Sequence, residues 1–116
     1  RLWVELRDYA TAPKGQYLAG PSLGLLADGT VTLPGDKPLG VLPLGQWGHI
    51  AMRFSLGEAQ AGEWEAALTL PDGTVHAVRA PFARPDFEIL TGLIMSAAAD
   101  ADGVIYVDNL ALTVEE

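Results

Sequence analysis

Apolar and polar residues alternate one by one over most of this chain, and no stretch keeps a 3.6-residue period long enough for a helix of three turns. Near the start, Leu2, Val4 and Leu6 alternate with Trp3, Glu5, Arg7 and Tyr9. In "WGHIAMRFSL", Ile50, Met52, Phe54 and Leu56 share one face and His49, Ala51, Arg53 and Ser55 the other, which predicts a central strand. "WEAALTL" sets Trp64, Ala66, Leu68 and Leu70 inward, and Pro71-Asp72-Gly73 then turns the chain into "TVHAVRA", a hairpin. A sister hairpin is predicted around Asp28-Gly29, where "SLGLLA" meets "TVTL". "EILTGLIMSAA" is apolar on both faces; Gly92 and the loop that follows favour a strand in the middle of a sandwich over a helix. "GVIYVDNLALTV" reads as a closing strand, with Val104, Tyr106, Asp108, Leu110 and Leu112 alternating against Ile105, Val107, Asn109 and Ala111. Eight to ten short strands separated by turns predict an all-β fold, an antiparallel β-sandwich.

A length of 116 residues suits one domain over 1–116, with a single core. The 49% hydrophobic and 19% charged content fits a folded globular chain, and 13 Gly with 8 Pro fit many short turns. No run approaches the roughly 20 apolar residues of a membrane-spanning helix. A formal net charge of −8, with only 7 Lys and Arg, disfavours nucleic acid and anionic membranes, and suits a neutral ligand or a cation. The chain has no Cys, which removes disulfides, thiolate metal sites and Cys nucleophiles and leaves the compartment open. His49 and His76 stand in no zinc-site spacing, Ser22, Ser55 and Ser96 in no nucleophile elbow, and no glycine-rich phosphate loop occurs.

The outer face of the first strand is the chemically distinctive one. If Leu2, Val4 and Leu6 point into the core, then Trp3, Glu5, Arg7 and Tyr9 stand in a row on the other side, about 7 Å apart. Two rings offer flat apolar area and the charged pair offers directional hydrogen bonds, the two kinds of contact a ligand such as a sugar requires. His49 and Arg53 extend this surface if their strand lies in the same sheet. The alternative is that Glu5 and Arg7 pair with cross-strand neighbours while the rings cover the sheet.

The stretch "GQWGHIAMRFSLGEAQAGEWEAALTLPDG" and the terminal "GVIYVDNLAL" resemble the later part of the concanavalin A-like lectin/glucanase superfamily, jelly-roll sandwiches that include laminin-G-like domains. The resemblance implies a jelly roll lacking its first strands, part of a longer exported and extracytoplasmic, bacterial protein, that recognises glycans and carries a structural calcium. The expected function is a non-catalytic carbohydrate-binding or accessory module. The alternative is a structural domain that pairs with missing strands of its parent or with another chain and binds no sugar. A glycoside hydrolase comes third: Glu63 and Glu65 flank Trp64 where the glucanases carry a run of acids, but Leu68 and Thr69 stand where the third acid belongs. For calcium, Asp108 is the candidate ligand, because an unpaired carboxylate is expensive in the apolar register of a closing strand, with the "DADG" loop at Asp100 to Gly103 as a second acidic source. The competing account of Asp108 is that it accepts backbone hydrogen bonds where the strand leaves the core.

Overall fold

The computed structural model describes residues 1–56, 62–97 and 104–113. Eight strands carry the fold: β1 (Leu2–Asp8), β2 (Leu18–Leu25), β3 (Thr30–Leu33), β4 (Lys37–Val41), β5 (His49–Arg53), β6 (Glu63–Thr69), β7 (Val75–Pro81) and β8 (Gly92–Ala97). No helix occurs among the described residues. The strands form two antiparallel sheets, one of five in the order β4-β3-β2-β1-β8 and one of three in the order β5-β6-β7.

Both predicted hairpins form, and by the same chemistry. At β2–β3 the Asp28 carboxylate accepts the Thr30 N–H at 2.9 Å and Gly29 takes a φ of 93°. At β6–β7 the Asp72 carboxylate accepts the Thr74 N–H at 2.9 Å and Gly73 takes a φ of 89°. The Asp closes a local ring that holds the turn, and the glycine supplies a left-handed conformation that a side chain resists. The bond from the threonine amide holds each carboxyl below its ordinary pKa.

One core joins the sheets. Val31, Leu33 and Leu39 from the larger pack with Trp64, Ala66 and Leu68 from the smaller, the inward set predicted for β6. Leu23 belongs to the same cluster, Leu6 is buried on the inner face of β1, and Leu2 and Val4 are half-buried on that face. Phe82 meets Phe54 edge-on at 6.3 Å and Phe87 at 5.8 Å, so the segment after β7 folds back to close one end.

Three expectations fail, and all three concern neighbours. β5 was expected in the middle of a sheet and is an edge strand, hydrogen-bonded to β6 alone. β8 forms a strand as expected, but at the edge of the larger sheet and largely exposed, not in the middle of the sandwich. Residues 104–113 are in no strand and are exposed, Asp108 included, so its carboxylate does not lie in a buried apolar register. Alternation tells a strand which side faces the core; it carries no count of the strands beside it.

Candidate functional site

The row foreseen on β1 exists. Trp3, Glu5 and Arg7 project from the outer face of the five-stranded sheet, opposite the buried Leu6 and Asp8, and Tyr9 continues the line one residue past the strand. Arg7 organises it. Its Nε donates to Glu5 Oε1 at 2.8 Å and its Nη1 to Tyr9 Oη at 3.1 Å. The guanidinium lies 3.9 Å from the centroid of the Tyr17 ring, and Tyr17 in turn meets Tyr9 at 5.6 Å. The hydrogen bond to Tyr9, and then that to Glu5, raise the Arg7 pKa well above the ordinary arginine value. At the other end Arg1 sits over the Trp3 ring at 4.9 Å and pairs with Asp36 at 2.9 Å.

The rings rest on positions without side chains. A Cβ at Gly24 of β2 would come within 3.3 Å of Trp3 Cζ3, and one at Gly92 of β8 within 3.0 Å of Tyr9 Cε2. Trp3 is in register with Gly24, and Arg7 with Gly92, so the two neighbouring strands leave room for the indole and the phenol to lie across them. The Tyr9 N–H also donates to Thr91 Oγ1 at 2.8 Å, and the Thr91 N–H to the Arg7 carbonyl at 3.0 Å. The outcome is a platform of aromatic and charged groups, with Tyr9 and Tyr17 the exposed members and their rings tilted 53° to each other.

His49 and Arg53 do not extend it. They lie on β5, in the three-stranded sheet, and face away from the core on the other side of the molecule, because Ile50 and Met52 pair with the buried Leu68 and Ala66. The structure instead places His49 in a groove with Trp47, Gly48, Thr69, Leu70, Asp108 and Asn109. In it the Asp108 carboxylate accepts the Asn109 N–H at 2.8 Å. Calcium takes six to eight oxygens. Among the described residues Asp108 is the only carboxylate lining this groove, and no group of three or more His, Asp or Glu placed to hold a metal occurs among them. The Asp100 to Gly103 loop lies outside the described residues. Glu63 and Glu65 stand on the outer face of β6, in register with Pro81 and Arg79, and Glu63 approaches Arg79 at 3.6 Å.

Three residues of consequence escaped the sequence reading. Tyr17 lies in a polar loop with no periodic signal, and Arg1 precedes the strand. Asp8 is the most telling: it occupies the inner register of β1 and is fully buried. Oδ1 accepts the N–H groups of Ala10 and Thr11 at 2.9 and 2.8 Å, and Oδ2 those of Glu88 and Ile89, both at 3.0 Å. Burial pushes this carboxyl up, but the N–H donors of Thr11, Ile89 and Glu88 together outweigh it and hold its pKa far below the usual carboxylate range. Asp8 thereby ties the end of β1, and Arg7 with it, to the segment that leads into β8. The signal was an acid at an apolar position of an alternating run.

Comparison of the chain with protein-family profiles, with curated proteins and with solved structures finds no match in any of the three.

Proposed function

We propose that this chain is a non-catalytic binding module of the jelly-roll type, resembling the concanavalin A-like sandwiches, and that the outer face of its five-stranded sheet recognises a neutral glycan. One observation carries the reading: Arg7 is fixed between Glu5, Tyr9 and the Tyr17 ring on an open sheet face. A guanidinium held in place beforehand loses little freedom on binding, and its remaining N–H donors are available for hydroxyls. The Trp3, Tyr9 and Tyr17 rings offer the flat apolar surfaces on which pyranose rings stack, and a row of them along an open sheet face suits an extended chain. The net charge of −8 disfavours anionic polymers.

Isothermal titration of neutral oligosaccharides tests this. The wild type is expected to bind, Tyr17→Ala and Arg7→Ala are expected to weaken binding at least tenfold, and Arg53→Ala, on the other sheet, is expected to leave it unchanged. Binding that survives the first two substitutions removes this face from the mechanism, and absence of binding to any glycan reduces the platform to sheet packing.

A further inference from the structure

The body is closed on one side and open on the other. β4 and β7 lie against each other and line a common groove. The larger sheet has two strands more than the smaller, and β1 and β8 lie at its end away from the β4–β7 contact. Leu6 and Asp8 stay buried, but at the Leu2–Val4 end of β1 and along β8 burial on the inner face falls. Leu23 and Val31 are buried, Leu2 and Val4 half-buried, and in β8 Leu93 and Met95 are 43% and 41% exposed. In the facing sheet Ile50, on the inner side of β5, is 42% exposed although its register partner Leu68 is fully buried. Beyond β5 the core lacks the cover of a further strand.

The chain carries a segment of that size. Val104, Ile105, Tyr106 and Val107 are all exposed, and the run ends at Asn109, whose left-handed φ of 55° breaks a strand. Asp108 and Asn109 already line the groove beside Trp47 and His49, where β5 begins. We infer that Val104–Asp108 is a latent strand that adds in cis to the open edge of β5, antiparallel, as the missing cover of the core.

The register follows from the contact at His49. With Asp108 opposite His49, Val107 falls opposite Ile50, Tyr106 opposite Ala51, Ile105 opposite Met52 and Val104 opposite Arg53. Every pair then has matching faces. Ile105 and Val107 turn inward with Met52 and Ile50, toward Leu93 and Met95, and Asp108 stays on the outer face with His49 and the cationic Arg53. β5 carries no carboxylate, and Asp108 is the one charge in the added segment. A shift by one residue buries Asp108 and exposes Ile105 and Val107.

Six residues, 98–103, join β8 to the segment and reach about 20 Å when extended. Crossing from one sheet to the other and running back the length of β5 requires a diagonal of about 17 Å. The tether favours the chain's own segment over another copy's, and the net charge of −8 opposes self-association.

The absence of cysteine makes the test clean. Adjacent antiparallel residues lie about 4.5–5.5 Å apart at Cα, within disulfide range. Ala51→Cys with Tyr106→Cys is expected to form an intrachain disulfide on mild oxidation, in a species that sediments as a monomer. Ala51→Cys with Asp108→Cys, two residues out of register, is expected to form little. In the wild type, amide exchange at Ile105 and Val107 is expected to be slowed at least about tenfold relative to an unstructured segment. Disulfide-linked dimers overturn the proposal in favour of a second copy on this edge. Equal crosslinking of both pairs overturns the register, and unprotected amides together with no disulfide overturn the strand itself.

Discussion

Arg7 and Asp8 are neighbours in sequence and opposites in environment. Arg7 lies on the outer face of β1, and its polar partners are side chains: Glu5, Tyr9 and the Tyr17 ring. Asp8 lies on the inner face with no exposure, and its partners are four backbone N–H groups from two distant parts of the chain. Side-chain partners near solvent move aside when one is removed and water replaces the lost bond. Backbone donors that converge on one buried carboxylate are fixed by the chain around it and lose their acceptor together. The inner face of β1 therefore holds the fold, and the outer face is free to be specialised.

The largest test of this contrast is Asp8→Ala, which removes the buried acceptor of four part-buried backbone hydrogen bonds at once. A loss of about 3–5 kcal/mol in urea unfolding is expected, against a few kcal/mol for a single unmade buried bond. The same residue sets a pH dependence. Its folded pKa is depressed, so its stabilisation is present in full above the unfolded value of about 3.9 and disappears as pH falls through the lower folded value. The difference in melting temperature between wild type and Asp8→Asn is thus expected to be constant near neutrality and to shrink on acidification below about pH 4. A difference that is the same at pH 7 and pH 2.5 contradicts this role for the carboxylate.

Arg7→Ala probes the other face and is expected to cost about 1 kcal/mol, the sum of a partly exposed ion pair and one cation–π contact. Its distinguishing consequence is local. Tyr9 and Tyr17 are expected to change fluorescence and mobility while the unfolding slope in urea stays unchanged. A loss as large as that of Asp8→Ala would erase the difference between the two faces and with it the argument for a specialised outer surface.

Much of this was legible in the sequence, for a reason that also marks the boundary. Period two assigns faces, so Leu6 inward, Arg7 outward and Trp64, Ala66 and Leu68 in the core were readable, as were both Asp-Gly-Thr turns, whose chemistry is confined to a few residues. The edge positions of β5 and β8 were not, because the number of strands beside a strand is decided by residues far away in the chain. For the same reason the row on β1 was foreseen as Trp3, Glu5, Arg7 and Tyr9 while its fifth member, Tyr17, was missed, and His49 and Arg53 were grouped with a sheet they do not belong to. Asp8 shows what alternation alone leaves out: period two places its carboxylate on the inner face but does not name the distant donors of Glu88 and Ile89 that it accepts.

The smallest test runs in the opposite direction. Thr32 on β3 pairs in register with Gly24, the glycine beneath the Trp3 indole, and is 1% exposed. Its hydroxyl is buried with no hydrogen-bond partner among the described residues, and a Cβ at Gly24 would come within 2.6 Å of it, so the space around the hydroxyl is already filled. A hydroxyl in such a place has given up water and gained nothing, while the methyl group of Val has the same shape without that loss. Thr32→Val is therefore expected to leave stability unchanged or raise it by up to about 1 kcal/mol in urea unfolding. Because Trp3 lies over the same glycine, indole fluorescence is expected to hold its wild-type position. A drop of more than about 1 kcal/mol would instead assign the hydroxyl a buried partner, such as an ordered water beneath the platform, and would make the outer face at Trp3 as dependent on polar groups as the inner face at Asp8.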